Sequence, residues 1–316
     1  MTRPEALYSL VVLTHNRPLL LGRCLRSLER MRWTGRQPEI IVVDDGSVPP
    51  SKDVAAKFPG LGAAYIFQEP GGVSKARNRG LAATKGDFVG FIADDYEVPV
   101  GYLEAVDDFF RQEPDAQVIS FSVSPRGRSL LRPVQNLYMQ LALGQELNAD
   151  RVKGRVASSF TLPASRAAVF RRSVFQRVGL FDESLKVGED GDFGRRLARA
   201  GVPVHLFLDK EIRHYDGANG LDYLRQRIRY GRSYLRAGIA GPTEIAFEGR
   251  RGFRVVPALL RRLTAKVKQW WAVSGRLGVR ARFMLLSPFL MIFLCFFYFG
   301  AYLELRAAET RPGEAR

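Results

Sequence analysis

Cysteine is almost missing from this chain: there are two in 316 residues, Cys24 and Cys295, neither in a CxxC spacing. That scarcity excludes a disulfide framework and a thiolate zinc site. It leaves two small buried hydrophobes suited to a reducing compartment. Acids are missing locally. Between Arg250 and Arg282 stand ten Lys or Arg residues and no Asp or Glu, in a chain of formal net charge +16. Charge of either sign is missing from Phe283 to Leu303, FMLLSPFLMIFLCFFYFGAYL, a run of 21 residues. No cleavable leader is expected, because MTRPEALYSLVVLTHNRP has a short apolar run, no small-residue cleavage pattern and an immediate return to charge. With 46% hydrophobic and 25% charged residues, the composition is that of a globular protein rather than a disordered one.

A basic run suits nucleic acid or an anionic membrane surface. The uncharged run that follows decides for the membrane, since a helix needs about 20 apolar residues to cross a bilayer. Pro288 and Gly300 are tolerable in such a span, and Trp270–Trp271 precede it as interfacial anchors. A single traversing helix with its basic flank inside would hold residues 1–282 on the cytoplasmic side of the inner membrane. Nucleic acid is not an expected partner. A re-entrant or surface-lying segment is the alternative to a crossing.

Over the first 120 residues, strand-like and helix-like blocks alternate. Continuous β-rich runs occupy 7–14, 39–47, 63–69, 87–94 and 117–123. Helical patterns follow at 16–31, with Asn16 as its cap and Pro18 in its first turn, and at 74–84 and 99–110. Such alternation predicts a largely parallel sheet with helices on both faces, and ligands bind such sheets at the carboxyl ends of the strands. Asp44–Asp45, Asp94–Asp95 and the turn Thr14-His15-Asn16 all fall on that rim. Clustered carboxylates need a cation or hydrogen-bond donors to offset them. Helix capping accounts for Asp44–Asp45 better than for Asp94–Asp95, where Tyr96-Glu97-Val98 intervenes before Pro99. The second part holds a helix at 134–143, then a strand and a short helix within 165–185. Glu189, Asp190 and Asp192 open the next helix, where acids favour the amino-terminal dipole, and a strand follows at 202–208. A basic helix begins at Leu221. Its Arg225, Arg229 and Arg232 share one face, which reads either as solvated or as a contact for a polyprenyl-pyrophosphate acceptor.

The order and spacing of THNRP, IIVVDDGS, GGVSKARNRGLAATKGDFVGFIADD, RRSVFQRVGLFDESL and GEDGDFGRRLARAG resemble glycosyltransferase family 2, over residues 7–215. The resemblance implies an inverting enzyme of the α/β class with a GT-A fold: a Rossmann-like, mostly parallel sheet flanked by helices. A basic C-terminal segment and one hydrophobic membrane segment would follow. The implied organisation is a catalytic domain over 1–245 (donor half 1–123, acceptor half 124–245), a basic juxtamembrane region over 246–282, a membrane helix over 283–303 and a polar tail over 304–316. By the same resemblance, Asp95 and His214 would hold Mg²⁺ or Mn²⁺. Thr14, Asp45, Arg77, Asn78 and Asp94 would bind a nucleotide-sugar donor, with Asp94 on the ribose. Asp190 would be the general base, and Glu189 and Asp192 would place a lipid-linked or saccharide acceptor. The family often carries Asp-x-Asp where this chain has Ala93-Asp94-Asp95-Tyr96. Asp44 is expected to order its turn, His15 to stand beside the base pocket and His205 to pack in its strand. The implied activity is sugar transfer in cell-envelope or exopolysaccharide synthesis. A catalytically degenerate GT-A domain serving as a membrane-tethered interaction module is the competing reading. A nucleotidyltransferase would instead need a Gly-rich, Lys/Arg-containing loop after the first strand, which THNRPLLLG is not.

Overall fold

The computed structural model describes residues 6–126, 131–146, 152–153, 156–159, 167–185, 188–215, 220–236 and 255–309. The chain divides into two compact units. One comprises Met1–Arg126 with Ala149–Asp216, and the other Gly127–Asn148 with Gly217–Arg316.

In the first unit, four runs with little or no interior charge make four parallel strands: β1 (Tyr8–Thr14), β2 (Glu39–Asp45), β3 (Ala64–Gln68) and β4 (Phe88–Ala93). Their side chains alternate between two cores. Leu10, Val12, Ile40 and Val42 meet helices α1 (Pro18–Glu29) and α4 (Tyr102–Gln112) on one face. Val11, Ile41, Val43 and Phe91 lie in the core on the other, with α3 (Val73–Ala83), α6 (Ser173–Val178) and α7 (Glu189–Arg199). Burial on both faces is why β1, β2 and β4 read as apolar runs, whereas β3, at the sheet edge, is partly exposed. A short helix, α2 (Lys52–Ala55), follows β2.

Beyond β4 the sheet is mixed rather than parallel. The two-residue β5 (Tyr96–Glu97) and β6 (Val118–Arg126) are followed by β7 (Val152–Lys153), β8 (Val156–Ser159), β9 (Ala168–Arg171) and β10 (Val204–Tyr215). The order is β3-β2-β1-β4-β9-β6-β10-β8-β7, with β5 paired to β10 off that path. β9 inserts antiparallel between β4 and β6, whereas β6 and β10 pair in parallel. The expected mostly parallel α/β sheet is borne out: β1–β4 and the β6–β10 pair run parallel, while the inserted β9, the short β5 and the β7–β8 hairpin are its antiparallel members.

Asn16 does not cap α1. It takes φ 54°, and the cap position falls to Arg17 without a side-chain bond. The Asn16 carboxamide instead accepts from the Val48 N–H at 2.8 Å, bracing the turn after β2. Cys24 is fully buried on α1. His205 lies 5.2 Å from the Phe109 ring centroid, and burial pushes its pKa down, so it packs as a neutral ring.

The second unit is helical: α5 (Arg132–Glu146), α8 (Gly220–Arg236), α9 (Val255–Arg276) and α10 (Arg280–Glu309). Its core gathers Leu137, Tyr223, Trp270, Phe283, Leu290 and Phe293. Trp270 is thus a core residue and not an interfacial anchor, while Trp271 is exposed. Helices α8 and α10 touch backbone to backbone. A Cβ on Gly231 would lie 1.9 Å from the Phe297 carbonyl oxygen, and one on Gly300 2.0 Å from that of Ile228. Only glycine allows helices to approach this closely.

Candidate active site

The carboxyl ends of β1, β2 and β4 meet on one rim because the strands are in register, with Thr14 opposite Asp44 and Leu13 opposite Ala93. The two acid pairs on that rim are handled differently. Asp44 is wholly buried and accepts from the Ser47 N–H (2.8 Å), the Ser51 N–H (2.7 Å) and the Tyr65 hydroxyl (2.6 Å). Burial opposes its charge, but those hydrogen bonds outweigh it and hold the carboxyl below its ordinary range. Asp44 therefore orders the turn. Asp45 accepts from Gln68 Nε2 and the Gly71 N–H, each at 2.7 Å, and from the Gly72 N–H at 2.8 Å. His15 Nδ1 donates to the Asp45 carbonyl at 2.7 Å, which fixes the tautomer and leaves Nε2 to accept from Asn16 Nδ2 at 3.0 Å.

Asp94 and Asp95 follow β4 and are nearly buried, at 4% and 7% exposure. Thr14 Oγ1 donates to Asp94 Oδ2 at 2.8 Å. Arg17 reaches Asp94 Oδ1 at 3.4 Å and Asp95 Oδ2 at 2.9 Å from a half-exposed position. His214 Nε2 stands 3.3 Å from Asp95 Oδ2. The last strand delivers this histidine. After a register shift between Phe207 and Glu211, β10 continues until His214 pairs with Tyr96 of β5, and the Tyr215 N–H donates to the Asp95 carbonyl at 2.8 Å. The rings of Tyr96 and His214 meet edge-on at 5.2 Å.

Burial raises the pKa of Asp94 to about 6; Arg17 works against this, and Asp95 adds to it. A carboxyl that prefers its proton in the folded state stabilises the fold fully below the unfolded pKa, and that contribution is lost as pH rises through the folded value. Metal-free protein is therefore expected to lose on the order of 3 kcal/mol from this group between about pH 4 and 7. Asp94→Asn should flatten that part of the melting-temperature profile. A profile that rises across this range in the wild type and is unchanged in the variant would contradict the assignment.

A second cluster forms where α3 meets α7. The Arg77 side chain is fully buried. Its Nη1 lies 3.1 Å from Glu189 Oε1 and 3.2 Å from Asp190 Oδ1, and its guanidinium sits 4.9 Å from the Phe181 ring centroid. Among the described residues, Arg77 Nε and Nη2 have no hydrogen-bond partner. A buried guanidinium needs paired charge, and the two acids of the first α7 turn supply it. Asp192 lies in the same first turn but pairs with Arg196 at 2.8 Å and Arg195 at 3.5 Å on its own helix. Asn78 is committed to the 181–183 turn. Its Nδ2 donates to the Phe181 carbonyl and to Glu183, both at 2.9 Å, and its Oδ1 accepts from the Phe181 N–H at 3.0 Å.

The structure thus brings Thr14, Asp94, Asp95 and His214 together, and separately Arg77, Glu189 and Asp190. Asp45, Asn78 and Asp192 serve other contacts. Arg17 joins the first group, and its one signal in the sequence is its place in the turn after β1. Among the described residues, no three Asp, Glu, His or Cys side chains are grouped to enclose a cation. The Asp95–His214 pair nonetheless suits one. Bonds of about 2.1 Å at right angles place two ligand atoms about 3 Å apart, and the observed separation is 3.3 Å.

The fold has solved counterparts. A mannosyltransferase from Pyrobaculum calidifontis, solved with GDP-Man and Mn²⁺, gives a TM-score of 0.57 at 18% identity, covering 96% of this chain and 86% of that one. S. aureus TarS 1-349, solved with UDP-GlcNAc, gives 0.54 at 17% identity, over 96% and 92%. At such identities the likeness is one of fold. Among curated relatives, a pre-mycofactocin glycosyltransferase of Mycobacterium tuberculosis is 29% identical over 241 residues, 75% of this chain and 49% of that protein. The glycosyltransferase EpsJ of Bacillus subtilis is 29% identical over 213 residues, 66% and 60%. The chain spans about half of the first relative's length and about three fifths of the second's. The sequence model of glycosyl transferase family 2 matches residues 9–179, more than half of the chain, and the chain belongs to that family.

Proposed function

We propose that this protein is an inverting glycosyltransferase that moves a sugar from a nucleoside-diphosphate donor to a hydroxyl of a lipid-linked or glycan acceptor. The observation that carries the reading is the pairing of two separately built acid sites in one unit. One lies on the strand rim at Asp94–Asp95, and the other opens α7 at Glu189–Asp190. Cell-envelope or exopolysaccharide assembly at the cytoplasmic face of the inner membrane fits this chemistry and the basic, apolar C-terminal helices.

Asp95 and His214 would hold Mg²⁺ or Mn²⁺, with the remaining positions filled by donor phosphates and water. When bound, the ion supplies positive charge against the charge developing on the leaving diphosphate. Asp94, steadied by Thr14, would receive the ribose. The Asp45 backbone turn and His15 would border the base. Arg17, half exposed and spanning both acids, can swing toward an incoming phosphate. At the other site Asp190 would take the proton of the attacking hydroxyl, and its side chain, 24% exposed, is open to a ligand. Arg77 holds Asp190 and Glu189 in place from beneath, which makes it a positioning residue. Asn78 acts the same way through the 181–183 turn. Asp192 would approach an acceptor only by leaving its arginines.

A second reading rests on Arg17. A guanidinium that already neutralises Asp94 and Asp95 suits a site that needs no ion, as in a degenerate binding module. Calorimetric titration with UDP, GDP and dTDP, with and without Mn²⁺, separates the two. Binding of one nucleotide strengthened at least about tenfold by Mn²⁺ supports the transferase. Cation-independent binding, or none in folded protein, supports the second reading.

A further inference from the structure

Helix α10 is long and apolar enough to cross a bilayer, and only 28% of its apolar window is buried within the protein. Its neighbour, however, carries charge where hydrocarbon would have to be. Helix α8 lies along the second half of α10. Tyr223 packs on Phe293 at 4.7 Å, Gly231 seats against the backbone at Phe297, and Gly300 against that at Ile228. Arg232 Nε meets Glu304 Oε2, itself buried, at 3.2 Å. In its 17 residues α8 also carries Asp222, Arg225, Arg227 and Arg229. Arg225 is largely exposed, and Arg227 is fixed between the rings of Tyr223 and Tyr230, at 4.8 and 4.9 Å. Arginine is among the costliest side chains to carry into a bilayer centre, and a crossing would draw Arg225, Arg227, Arg229 and Arg232 toward it together. Peeling α8 away instead would undo the glycine contacts and separate Arg232 from the buried Glu304.

The outer side of α10 has a different character. Met284, Leu285, Phe289, Ile292 and Phe299 are exposed there, Leu285 at 74%. They recur at helical spacing along one side. Trp271 is exposed near the start of this stripe, with the Arg280 guanidinium 4.7 Å over its ring. Arg276, Arg280 and Arg282 are exposed beside it, in a stretch of sequence from Arg250 to Arg282 that has no Asp or Glu. An apolar stripe with aromatic and cationic residues at its edge matches the boundary between lipid tails and anionic headgroups.

We infer that the helical unit is a monotopic anchor for an anionic phospholipid surface. Helix α10 lies in the interfacial plane with its Met284–Phe299 stripe immersed, and it does not cross the bilayer. The inference rests on the membrane location proposed above and fixes its mode. The test uses the full chain with Cys295→Ser, Cys24 being buried, and adds either Ala272→Cys or Ala307→Cys. In sealed inside-out vesicles from an expressing bacterium, a membrane-impermeant maleimide should label both cysteines without detergent. Labelling of the first alone, with the second reached only after detergent, means a crossing and overturns the inference while leaving the membrane location intact. Purified protein should also bind phosphatidylglycerol-containing vesicles at least about tenfold more tightly than phosphatidylcholine vesicles. The folded Leu285→Glu/Phe289→Glu variant, checked by circular dichroism, should lose about tenfold or more of that binding. Absence of binding to either vesicle overturns both the inference and the membrane location.

Discussion

Asp190→Asn is expected to lower sugar transfer by about a thousandfold while leaving nucleotide affinity within about twofold. The substitution keeps the shape of the side chain and an oxygen for Arg77, 3.2 Å away, but removes the basic site. It also removes one of two charges facing a buried guanidinium, so some stability is lost, about 1–3 kcal/mol. Glu189→Gln serves as the matched control, because it removes the other charge from the same Arg77 contact. If Asp190 is the base, Asp190→Asn should be far more damaging to turnover than Glu189→Gln, at comparable loss of stability. Equal loss in both variants would mean that charge balance around Arg77, and not proton transfer at Asp190, limits activity.

The second large effect belongs to the rim. Asp95→Asn should weaken Mn²⁺-dependent nucleotide binding by about a hundredfold or more, because a neutral amide is a poor ligand for a hard cation. Arg17 and His214 would each lose the carboxylate charge at Asp95 Oδ2, at 2.9 and 3.3 Å, and Arg17 would keep only Asp94. The variant also carries an independent signature. Asp95 is among the groups that raise the pKa of Asp94, so removing its charge should move that carboxyl back toward ordinary values. Nucleotide binding that keeps its full cation dependence in Asp95→Asn would place the ion elsewhere.

What could be read in advance follows from how local each signal is. The runs 7–14, 39–47 and 87–94 announce β1, β2 and β4 because burial on both faces leaves few polar positions to interrupt them. Their shared rim followed from parallel topology alone, so Thr14, Asp94 and Asp95 were legible as neighbours. The direction of β9 was not. Three apolar residues and an arginine, Ala168–Arg171, say strand but carry no record of which strands they will separate. Asn16 looked like a helix cap because Pro18 follows it. Its left-handed conformation is set by Ser47 and Val48, a contact with no local trace. Arg77 illustrates the same limit at the site. Its motif suggested a nucleotide contact, yet its partners sit on α7, more than a hundred residues away in sequence. Trp270 and Trp271 are adjacent letters, and only the helix phase sends one into the core and the other to the surface.

The route by which His214 reaches Asp95 has a consequence for biogenesis. The acids emerge from the ribosome early, whereas the strand that carries the histidine is the last of its unit to be made. At roughly 5–20 residues per second, the nascent chain waits on the order of ten seconds between the two. During that interval Arg17 is the compensating cation at hand from the segment already synthesised. Folding intermediates that lack β10 should therefore depend on Arg17 more than the finished protein does. Loss of that arginine should show first as poor yield during synthesis rather than as a weak purified enzyme.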